Sequence, residues 1–595
     1  MPSIDINQLS VRYPFERDEV LDNISLNITK GEKVLLLGPS GSGKSTLALA
    51  LSGIIPRSVE AELTGEVLVD GVEPRIAGIA AMCRKVGILF QDPETQLCMT
   101  TVEDEIAFGL ENMGLSRTEM ESRICDSLAL TGLSGHRYAN SQQLSGGFKQ
   151  KLGLACLLAM DQEMLILDEP TANLDPAATD EMFLLLAQLA AQSDKTLLFI
   201  EHKLDDLLAY LDRVIVLDDC GRVVADGVAR DIFQYELEKL LELGVWAPRL
   251  CMAARELEQQ GMIWPVFPLS MAEWEEGLAA RGISLKGAMD RTEASLPAAR
   301  PLPSANARIT STNTPIPSSN VPIPSAEPPI LELIHVTFNY RDSNVLDDIS
   351  ITIAAGEFIA LLGANGSGKS TLVQLLVKLL APSKGTIRFG GRQVDKLSIK
   401  ELMGQVGFVC QNPEHQFVRD TVEDELAYGL RILGHSDDQL RVRVDELLHR
   451  FKLEPYRAQN PFSLSQGQKR RLSVAAALTG EQQLLILDEP TFGQDYQNTV
   501  ALMTLLQELN QEGKTIVIVT HDMELVKQYA SRVLLLHERK LLYQGAPALF
   551  FGEEGLLRQA AMKRPLSDML GLWKMAFTEK SYMEAERDAG ALAEA

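Results

Sequence analysis

Four short apolar runs stand out along the chain, and each ends at glycines or carboxylates. "KVLLLG" (33–38) and "FIALLG" (358–363) lead into glycine-rich loops, whereas "MLILDEP" (164–170) and "LLILDEP" (484–490) end on an aspartate and a glutamate. Continuous apolar runs of this length are typical of strands that are buried on both faces of a parallel sheet. A helix-forming segment follows each glycine-rich loop. The pattern therefore predicts an α/β fold.

Self-comparison shows that the chain contains one long segment twice. The matching pairs are "KVLLLGPSGSGKST" (33–46) with "FIALLGANGSGKST" (358–371), "QDPETQLCMTTVEDEIAFGL" from Gln91 with "QNPEHQFVRDTVEDELAYGL" from Gln411, "LSGGFKQKLGLA" (144–155) with "LSQGQKRRLSVA" (464–475), and "MLILDEPTANLD" (164–175) with "LLILDEPTFGQD" (484–495). The offset is larger for the first pair, so the first copy carries a small insertion near "IIPRSVEAEL". This pattern indicates duplication of a whole domain rather than a solenoid array.

The segment between the copies is rich in Pro, Ser, Ala and Thr. It buries too little apolar surface to offset the entropy of ordering, which predicts a flexible linker with a coil dimension of about 35 Å. Helical apolar spacing precedes it in "DIFQYELEKLLELG" (231–244) and "LSMAEWEEGLAARG" (269–282), and a similar pattern follows the second copy. The predicted divisions are a first domain (1–230), a helical appendage (231–290), the Pro/Ser-rich linker (291–327), a second domain (328–552) and a C-terminal helical tail (553–595).

Composition narrows the classes of function. The formal net charge of -25 over 595 residues argues against the sequence-independent phosphate contacts that dominate nucleic-acid binding. Seven scattered cysteines without a CxxC pair are typical of reduced thiols in the cytosol. We see no signal peptide and no apolar run near the roughly 18 residues of a membrane helix. A role at a membrane would therefore be peripheral.

The glycine-rich loops have the chemistry of a phosphate site. Glycines let the backbone wrap a phosphate at a helix N-terminus, where about half a positive charge resides. Lys44 would neutralise the β- and γ-phosphates and Ser45 would ligate Mg²⁺. A chance glycine-rich turn is the alternative, but two matches in the same strand and helix context make it negligible. The predicted loops comprise Gly38, Pro39, Ser40, Gly41, Ser42, Gly43, Lys44, Ser45 and Thr46, and Gly363, Ala364, Asn365, Gly366, Ser367, Gly368, Lys369, Ser370 and Thr371.

Carboxylates end the two "LDEP" strands, at the edge where parallel sheets bind ligands. Asp168 and Asp488 suit Mg²⁺ held through water, because a hard cation prefers oxygen ligands. Glu169 and Glu489 would orient and polarise the attacking water. The alternative for each Asp-Glu pair is a helix N-cap. Its position after a phosphate loop in both copies favours catalysis.

The phosphate loop, Gln, "LSGG", "LDEP", Asp and His follow one another in an order that resembles the nucleotide-binding domains of ATP-binding-cassette (ABC) proteins. The resemblance covers about 1–230 and 330–550, and the "LSGG" element separates this family from other phosphate-loop ATPases. It implies two domains, each with an α/β core and a helical subdomain. It also implies an intramolecular, head-to-tail dimer in which each ATP lies between one phosphate loop and the other copy's signature loop.

The resemblance also assigns roles to further residues. Tyr13 and Tyr340 match the aromatic residues that stack on adenine, although a lone Tyr is as often a core residue. Gln91 and Gln411 match the Gln that ligates Mg²⁺ and reports to the membrane partner. The signature loops correspond to Ser145, Gly146 and Gly147, and to Ser465, Gln466 and Gly467; the loops linking the two sites to Asp175 and Asp495; and the γ-phosphate switch to His202 and His521.

The sequence departs from the family pattern at three points. Phe148 replaces the usual Gln of the first signature, Gln466 replaces a glycine of the second, and "FGQD" replaces the more usual form of the linking loop. None of these changes removes a charge that touches phosphate, and both glutamates and both histidines remain. We therefore expect both sites to hydrolyse ATP, with room for asymmetry between them.

Two classes of function compete for such an ATPase. One is the energy module of a membrane transporter, and the other is a soluble twin-cassette ATPase that acts on ribosomes or DNA. The latter class typically has a charged helical arm and a basic surface, whereas this chain is acidic with a Pro/Ser-rich connection. A third class, the ribosome-recycling cassette, is not favoured, because it would need N-terminal cysteines for iron–sulfur clusters and this sequence lacks them. Within transport, fused sugar-import cassettes are a closer alternative, but they usually have one degenerate site, whereas this chain keeps a catalytic glutamate in both copies.

The stretches "QDPETQ" and "QNPEHQ", each followed by "TVEDE", resemble the ATPases of energy-coupling-factor importers of vitamins or metal ions. That resemblance implies a transmembrane coupling subunit, a small substrate-capture membrane protein, and a peripheral position at the cytoplasmic face of the cell membrane. The fused arrangement is similar to cassettes for thiamine or hydroxymethylpyrimidine uptake. We expect a groove for a coupling helix, with Phe108 and Tyr428 in the core beneath it, shaped by Pro93, Glu94 and Gln96 and by Pro413, Glu414 and Gln416.

Overall fold

The computed structural model describes residues 2–14, 16, 18–171, 174, 176–201, 207–283, 329–340, 343–491 and 494–571. The predicted linker, Asp175 and His202 lie outside these residues. In the described part, no helix is long and apolar enough to span a membrane.

The first copy is built on two sheets. Its strands are β1 (Pro2–Arg12), β2 (Leu21–Thr29), β3 (Lys33–Leu37), β4 (Glu62–Val69), β5 (Val86–Leu89), β6 (Met164–Asp168), β7 (Thr196–Ile200), β8 (Arg213–Leu217) and β9 (Val223–Val228). One sheet has the antiparallel order β2-β1-β4, and the other has the order β5-β6-β7-β3-β8-β9, antiparallel only between β8 and β9. The central strands β6 and β7 are buried throughout, as their apolar runs predict, whereas β2 alternates between buried and exposed positions.

The helices of the first copy lie between its strands in chain order. They are α1 (Lys44–Leu51), α2 (Pro74–Ala77), α3 (Ile79–Met82), α4 (Val102–Asn112), α5 (Arg117–Leu130), α6 (Gly146–Met160) and α7 (Pro176–Gln192). Helices α4, α5 and α6 share an apolar cluster of their own, which includes Ile106, Leu128 and Leu152. This cluster is the core of the predicted helical subdomain.

The predicted appendage consists of α8 (Ala229–Tyr235), α9 (Leu237–Glu242), α10 (Arg249–Gln259) and α11 (Met271–Ala280). The helical pattern at 231–244 is divided at Glu236, which lies between α8 and α9. Phe233 and the fully buried Trp274 belong to the same apolar cluster as Leu165 and Phe199 of the sheet. The appendage therefore extends the core of the first copy.

The second copy repeats this architecture. Its strands are β10 (Leu331–Tyr340), β11 (Ser343–Ile353), β12 (Phe358–Leu362), β13 (Lys384–Phe389), β14 (Arg392–Gln393), β15 (Val406–Val409), β16 (Leu484–Asp488), β17 (Thr515–Val519), β18 (Arg532–His537) and β19 (Lys540–Gly545). Its helices are α12 (Lys369–Leu376), α13 (Ile399–Met403), α14 (Val422–Leu433), α15 (Asp437–Arg450), α16 (Gln466–Ala477), α17 (Tyr496–Gln511), α18 (Met523–Tyr529), α19 (Pro547–Gly552) and α20 (Glu554–Gln559). The large sheet has the order β15-β16-β17-β12-β18-β19, which is the order of the first copy. The expected α/β fold and its duplication are confirmed.

Candidate ATP sites

Each phosphate loop enters its helix through a glycine that the backbone requires. Gly43 precedes α1 with a φ of 88°, and Gly368 precedes α12 with a φ of 101°. A Cβ atom on Gly43 would lie 2.5 Å from Leu21 Cδ2 and 2.7 Å from the carbonyl oxygen of Val20. Both the positive φ and the close approach require glycine. Each loop thereby meets a helix N-terminus, where N–H groups attract an anionic phosphate.

The loop lysines are buried against their own loops. Lys44 Nζ donates to the carbonyl oxygens of Gly38 and Pro39 at 2.8 Å each, and Lys369 makes the matching bonds in the second loop. Burial lowers the pKa of the Lys44 ammonium, whereas nearby carboxylates, first among them Glu169, oppose that shift. Each loop therefore holds its lysine Nζ atom beside the predicted phosphate position.

A cavity of about 340 Å³ opens at the second phosphate loop. It is lined by Leu174, Val345, Asn365, Gly366, Gly368, Lys369, Ser370, Thr371, Gln411, Asp488, Glu489 and His521. All of these except Leu174 and Val345 are predicted site residues. The structure thus brings the predicted phosphate, metal and catalytic residues of the second copy to one cavity.

The donor set of this cavity fits a hydrated Mg²⁺ ion. Ser370, Gln411 and Asp488 line the same cavity. Burial, followed by the charge of Glu489, raises the pKa of Asp488, whereas Lys369 lowers it. Carboxylate, hydroxyl and amide oxygens are the ligands that a hard cation prefers.

Both candidate catalytic glutamates lie in the left-handed region of backbone conformation. The φ angle is 47° at Glu169 and 45° at Glu489. Each donates its backbone N–H to the neighbouring strand, Glu169 to Ile200 at 2.7 Å and Glu489 to Val519 at 3.0 Å. Residues other than glycine adopt such angles where the surrounding structure imposes them, frequently at active sites. This feature has no signal in the sequence.

The two glutamates contact different predicted residues. In the first copy, Gln91 Nε2 donates to Glu169 Oε2 at 2.6 Å. In the second copy, His521 Nε2 lies 3.0 Å from Glu489 Oε1. The predicted Gln therefore contacts the catalytic glutamate in the first copy, and the predicted His contacts it in the second.

A buried arginine, Arg470, anchors the backbone of the Gln411 segment. The sequence pattern does not reveal this role. Arg470 donates to the carbonyl oxygens of Cys410 and Gln411 at 2.7 and 2.6 Å, and burial lowers the pKa of Arg470 to about 10. The same position in the first copy is Gln150, which donates to the carbonyl oxygen of Phe90 at 3.3 Å. The two Gln segments are thus anchored differently.

Residues of each copy reach the phosphate loop of the other. The Ser40 N–H donates to Asp495 Oδ2 at 3.0 Å, and Asp495 also caps α17 by accepting from the Asn498 N–H at 2.7 Å. From the opposite direction, Leu174 lines the second cavity. Of the described residues, those of the first signature loop do not line that cavity. At the ATP sites, contact between the copies runs through the segments that follow the two "LDEP" strands.

The signature loops differ in the way their serines begin the next helix. Ser465 accepts from the Gln468 N–H while Gln468 accepts from the Ser465 N–H, which is a capping box. Ser145 precedes α6 without a side-chain capping bond. Phe148 occupies the position of Gln468 and packs instead against the His136 ring, with ring centroids 4.6 Å apart.

One signature glycine in each copy is required by packing. A Cβ atom on Gly147 would lie 2.9 Å from Ala178 Cβ, and one on Gly467 would lie 2.3 Å from Asn498 Oδ1. Gln466, by contrast, is exposed at the first position of α16. The substitution of glycine by Gln466 is therefore accommodated without repacking.

The two predicted adenine-stacking tyrosines are in different surroundings. Tyr13 is half-buried, and its hydroxyl lies 3.1 Å from Thr46 Oγ1 of the phosphate loop. Tyr340 is 46% exposed, and its hydroxyl donates to Gln374 Oε1 at 3.3 Å. Each tyrosine hydroxyl therefore contacts the helix that follows its phosphate loop. The predicted stacking of the two rings on adenine stays a prediction.

The predicted groove segments are tied to the signature helices. Glu94 forms an ion pair with Lys149, and Glu414 forms one with Lys469 at 2.6 Å. The prediction that Phe108 packs in the core is wrong, because Phe108 is 43% exposed. One short 3-10 turn shapes each segment, and it begins at the buried Pro93 in the first copy and at the buried Pro413 in the second.

The second glutamate of each "TVEDE" sequence anchors the loop before it. Glu105 is 6% exposed and accepts from the N–H groups of Cys98 and Met99 at 2.9 and 2.6 Å. Glu425 is 5% exposed and accepts from Val418 and Arg419 in the same way. A buried carboxylate with two N–H donors holds the loop that joins the Gln segment to the helical subdomain.

Comparisons with known proteins identify the family to which the chain belongs. The family model described as "ABC transporter" matches residues 21–172 and 346–492. A Bacillus subtilis protein described as "Putative HMP/thiamine import ATP-binding protein YkoD" is 38% identical over 585 residues, which is 98% of each chain. A Methanosarcina acetivorans protein described as "Putative ABC transporter ATP-binding protein" is 36% identical over 96% of this chain and 90% of its own length.

Among solved structures, cbiO1 from Clostridium perfringens, described as part of the ABC transporter complex cbiONQ, is 36% identical. The match covers 39% of this chain and 94% of that chain, with a TM-score of 0.36. The sequence matches to the family model and to full-length relatives carry the assignment. The chain belongs to the ABC transporter family, as a protein with two ATP-binding cassettes that hydrolyses ATP to drive transport.

Proposed function

We propose that the chain is the ATP-hydrolysing subunit of an energy-coupling-factor importer for a vitamin or precursor, such as thiamine or hydroxymethylpyrimidine, or for a metal ion. The observation that carries this proposal is the 38% identity, over 98% of both chains, with the B. subtilis protein described as an HMP/thiamine importer component. Its partners would be a transmembrane coupling subunit and a small substrate-capture membrane protein. The chain would lie at the cytoplasmic face of the cell membrane.

Within this subunit, the two copies would act as an intramolecular dimer with composite ATP sites. The Ser40 to Asp495 hydrogen bond and the position of Leu174 in the second cavity support this arrangement. Hydrolysis would use Glu169 and Glu489, with His202 and His521 at the γ-phosphate. Mg²⁺ would be held by Ser45, Gln91 and Asp168 at one site and by Ser370, Gln411 and Asp488 at the other.

The test of this proposal is co-purification of the tagged chain from detergent-solubilised membranes. Recovery of a polytopic protein together with a small integral membrane protein would support it, and mass spectrometry of the retained small molecule would identify the cargo. Recovery of ribosomes or DNA would overturn the proposal. The transporter descriptions of the relatives do not favour that alternative.

A further inference from the structure

The first copy contains a buried carboxylate that the proposed chemistry does not use. Glu201 follows strand β7 directly and is 3% exposed. Thr171 donates both its backbone N–H, at 3.2 Å, and its hydroxyl to Glu201 Oε1. The corresponding residue of the second copy is Thr520, which accepts from the Asp522 N–H at 3.1 Å. The carboxylate is thus specific to the first copy.

Thr171 begins the segment that reaches the ATP site of the other copy. Its side chain is 3% exposed, and its carbonyl oxygen accepts from the Leu174 N–H at 3.3 Å. Leu174 in turn lines the second cavity together with Glu489 and His521. A short path of hydrogen bonds therefore leads from Glu201, through Thr171, to a wall of the second cavity.

We propose that Glu201 is a positioning residue for the second ATP site, although it belongs to the first copy. Glu201 Oε1 accepts two hydrogen bonds from Thr171, so it ties the start of the segment to the end of β7. Small displacements of groups at a reacting centre cost large factors in rate. The inference rests on the proposed function, because it requires the second cavity to turn over ATP.

The test separates the two sites by their catalytic glutamates. In a Glu169→Gln background the remaining turnover reports the second site, and in a Glu489→Gln background it reports the first. We expect Glu201→Ala to lower kcat about tenfold in the first background with KM for ATP changed less than about twofold, and to lower kcat less than about threefold in the second. Glu201→Gln, which keeps an acceptor oxygen, should restore most of the loss. The reverse ranking of the two backgrounds would overturn the proposal, because Glu201 would then act on its own copy.

A second variant and a second measurement guard against trivial loss of folding. Thr171→Val keeps the buried volume and removes one donor, so it should produce part of the same loss and add little to Glu201→Ala. Glu201→Ala should also increase amide exchange in peptide 169–176 and weaken its protection by a non-hydrolysable ATP analogue. If the Glu169→Gln and Glu489→Gln backgrounds are both inactive, the two sites do not turn over ATP independently, which contradicts the proposed function. Unchanged amide exchange in this peptide after Glu201→Ala would instead refute the role of Glu201 itself.

Discussion

At the scale of single residues, the catalytic assignment depends on the two glutamates with positive φ. Glu169 and Glu489 share their backbone conformation and their strand-end position, so both sites should hydrolyse ATP. We expect Glu169→Gln and Glu489→Gln each to lower steady-state turnover by at least half, and the double variant to abolish it. Phosphate release at saturating Mg-ATP measures this. If one single variant keeps wild-type turnover while the other is inactive, only one site is catalytic.

The same scale shows what a sequence reveals about a site. Lys44, Asp168 and Glu169 could be predicted because their chemistry recurs at fixed spacing after apolar strands. Glu105 could not, because the sequence "TVEDE" contains three carboxylates and only the fold decides which of them turns inward to the loop N–H groups. Glu201 was missed for the same reason, since its partner Thr171 is distant in sequence.

The pKa of Glu425 gives a pH-dependent prediction. Burial raises this pKa, although the N–H groups of Val418 and Arg419 oppose the shift. A raised carboxyl pKa means that the folded chain keeps a proton that the unfolded chain has lost. The contribution of Glu425 to stability is therefore complete below its unfolded pKa and is lost as the pH rises through its folded pKa.

Glu425→Gln removes this titration but keeps an acceptor oxygen. The stability of the wild type relative to the variant should therefore be greater at about pH 5 than at about pH 8. Thermal unfolding of both proteins across that range measures the difference. Asp445→Asn on the exposed face of α15 is the control for a general effect of charge. A difference that stays constant or grows with pH would contradict the assignment.

At the scale of elements, apolar runs predicted the central strands well, because both of their faces are buried in every such sheet. Helical periodicity was less exact. The pattern at 231–244 contains two helices, α8 and α9, because Glu236 adopts a non-helical backbone between them. Periodicity alone cannot locate such a break, since apolar residues continue with helical spacing on both sides of it.

The signature helices allow a matched test of helix capping. Ser465 accepts from the Gln468 N–H, whereas Ser145 begins α6 without a side-chain capping bond. Ser465→Ala should therefore cost about 1 kcal/mol of local stability, and Ser145→Ala should cost little. Hydrogen exchange at the first turn of each helix should quicken about fivefold for Ser465→Ala only. Equal effects in both helices would mean that capping does not distinguish them.

The ion pairs between the Gln segments and the signature helices bear on docking of the membrane partner. Glu414→Lys places two ammonium groups together at Lys469, so it should weaken assembly with the membrane subunits while basal ATPase activity is largely kept. Adding Lys469→Glu restores the internal pair but leaves the surface charge altered. Rescue of co-purification by the double variant would indicate that the pair acts by shaping the segment. Failure of rescue would indicate direct contact of Glu414 with the partner.

At the scale of the whole molecule, the two copies also touch through the helices that follow each cassette. The Trp246 and Tyr496 rings are 5.1 Å apart, and Gln497 donates to the carbonyl oxygen of Glu242 at 3.3 Å. Arg249 pairs with Glu524 at 3.2 Å. The helical appendage of the first copy therefore packs against α17 and α18, which follow the second copy's linking loop and switch histidine.

The tail of the second copy makes the reciprocal contact. Lys563 pairs with Asp180 of α7 at 2.6 Å, and Leu570 is buried in the apolar core of the first copy. Each copy thus contributes its C-terminal helices to the other. The side chains that make these contacts are not among those that line the second cavity. We therefore expect the contacts to hold the copies together during nucleotide turnover.

A chain cut within 291–327 tests whether the appendages alone hold the copies together. With a protease site placed in this segment, the two fragments should still co-elute in size-exclusion chromatography without ATP. Adding Trp246→Ala and Lys563→Ala removes a half-buried aromatic anchor and an ion pair. Aromatic anchors at interfaces are commonly worth about 2 kcal/mol or more. The cut variant should then separate without ATP and re-associate when Mg-ATP is added to a hydrolysis-deficient background, because the composite sites would supply the missing affinity. Separation of the cut wild type under the same conditions would show that the covalent linker, rather than the exchanged helices, maintains the dimer.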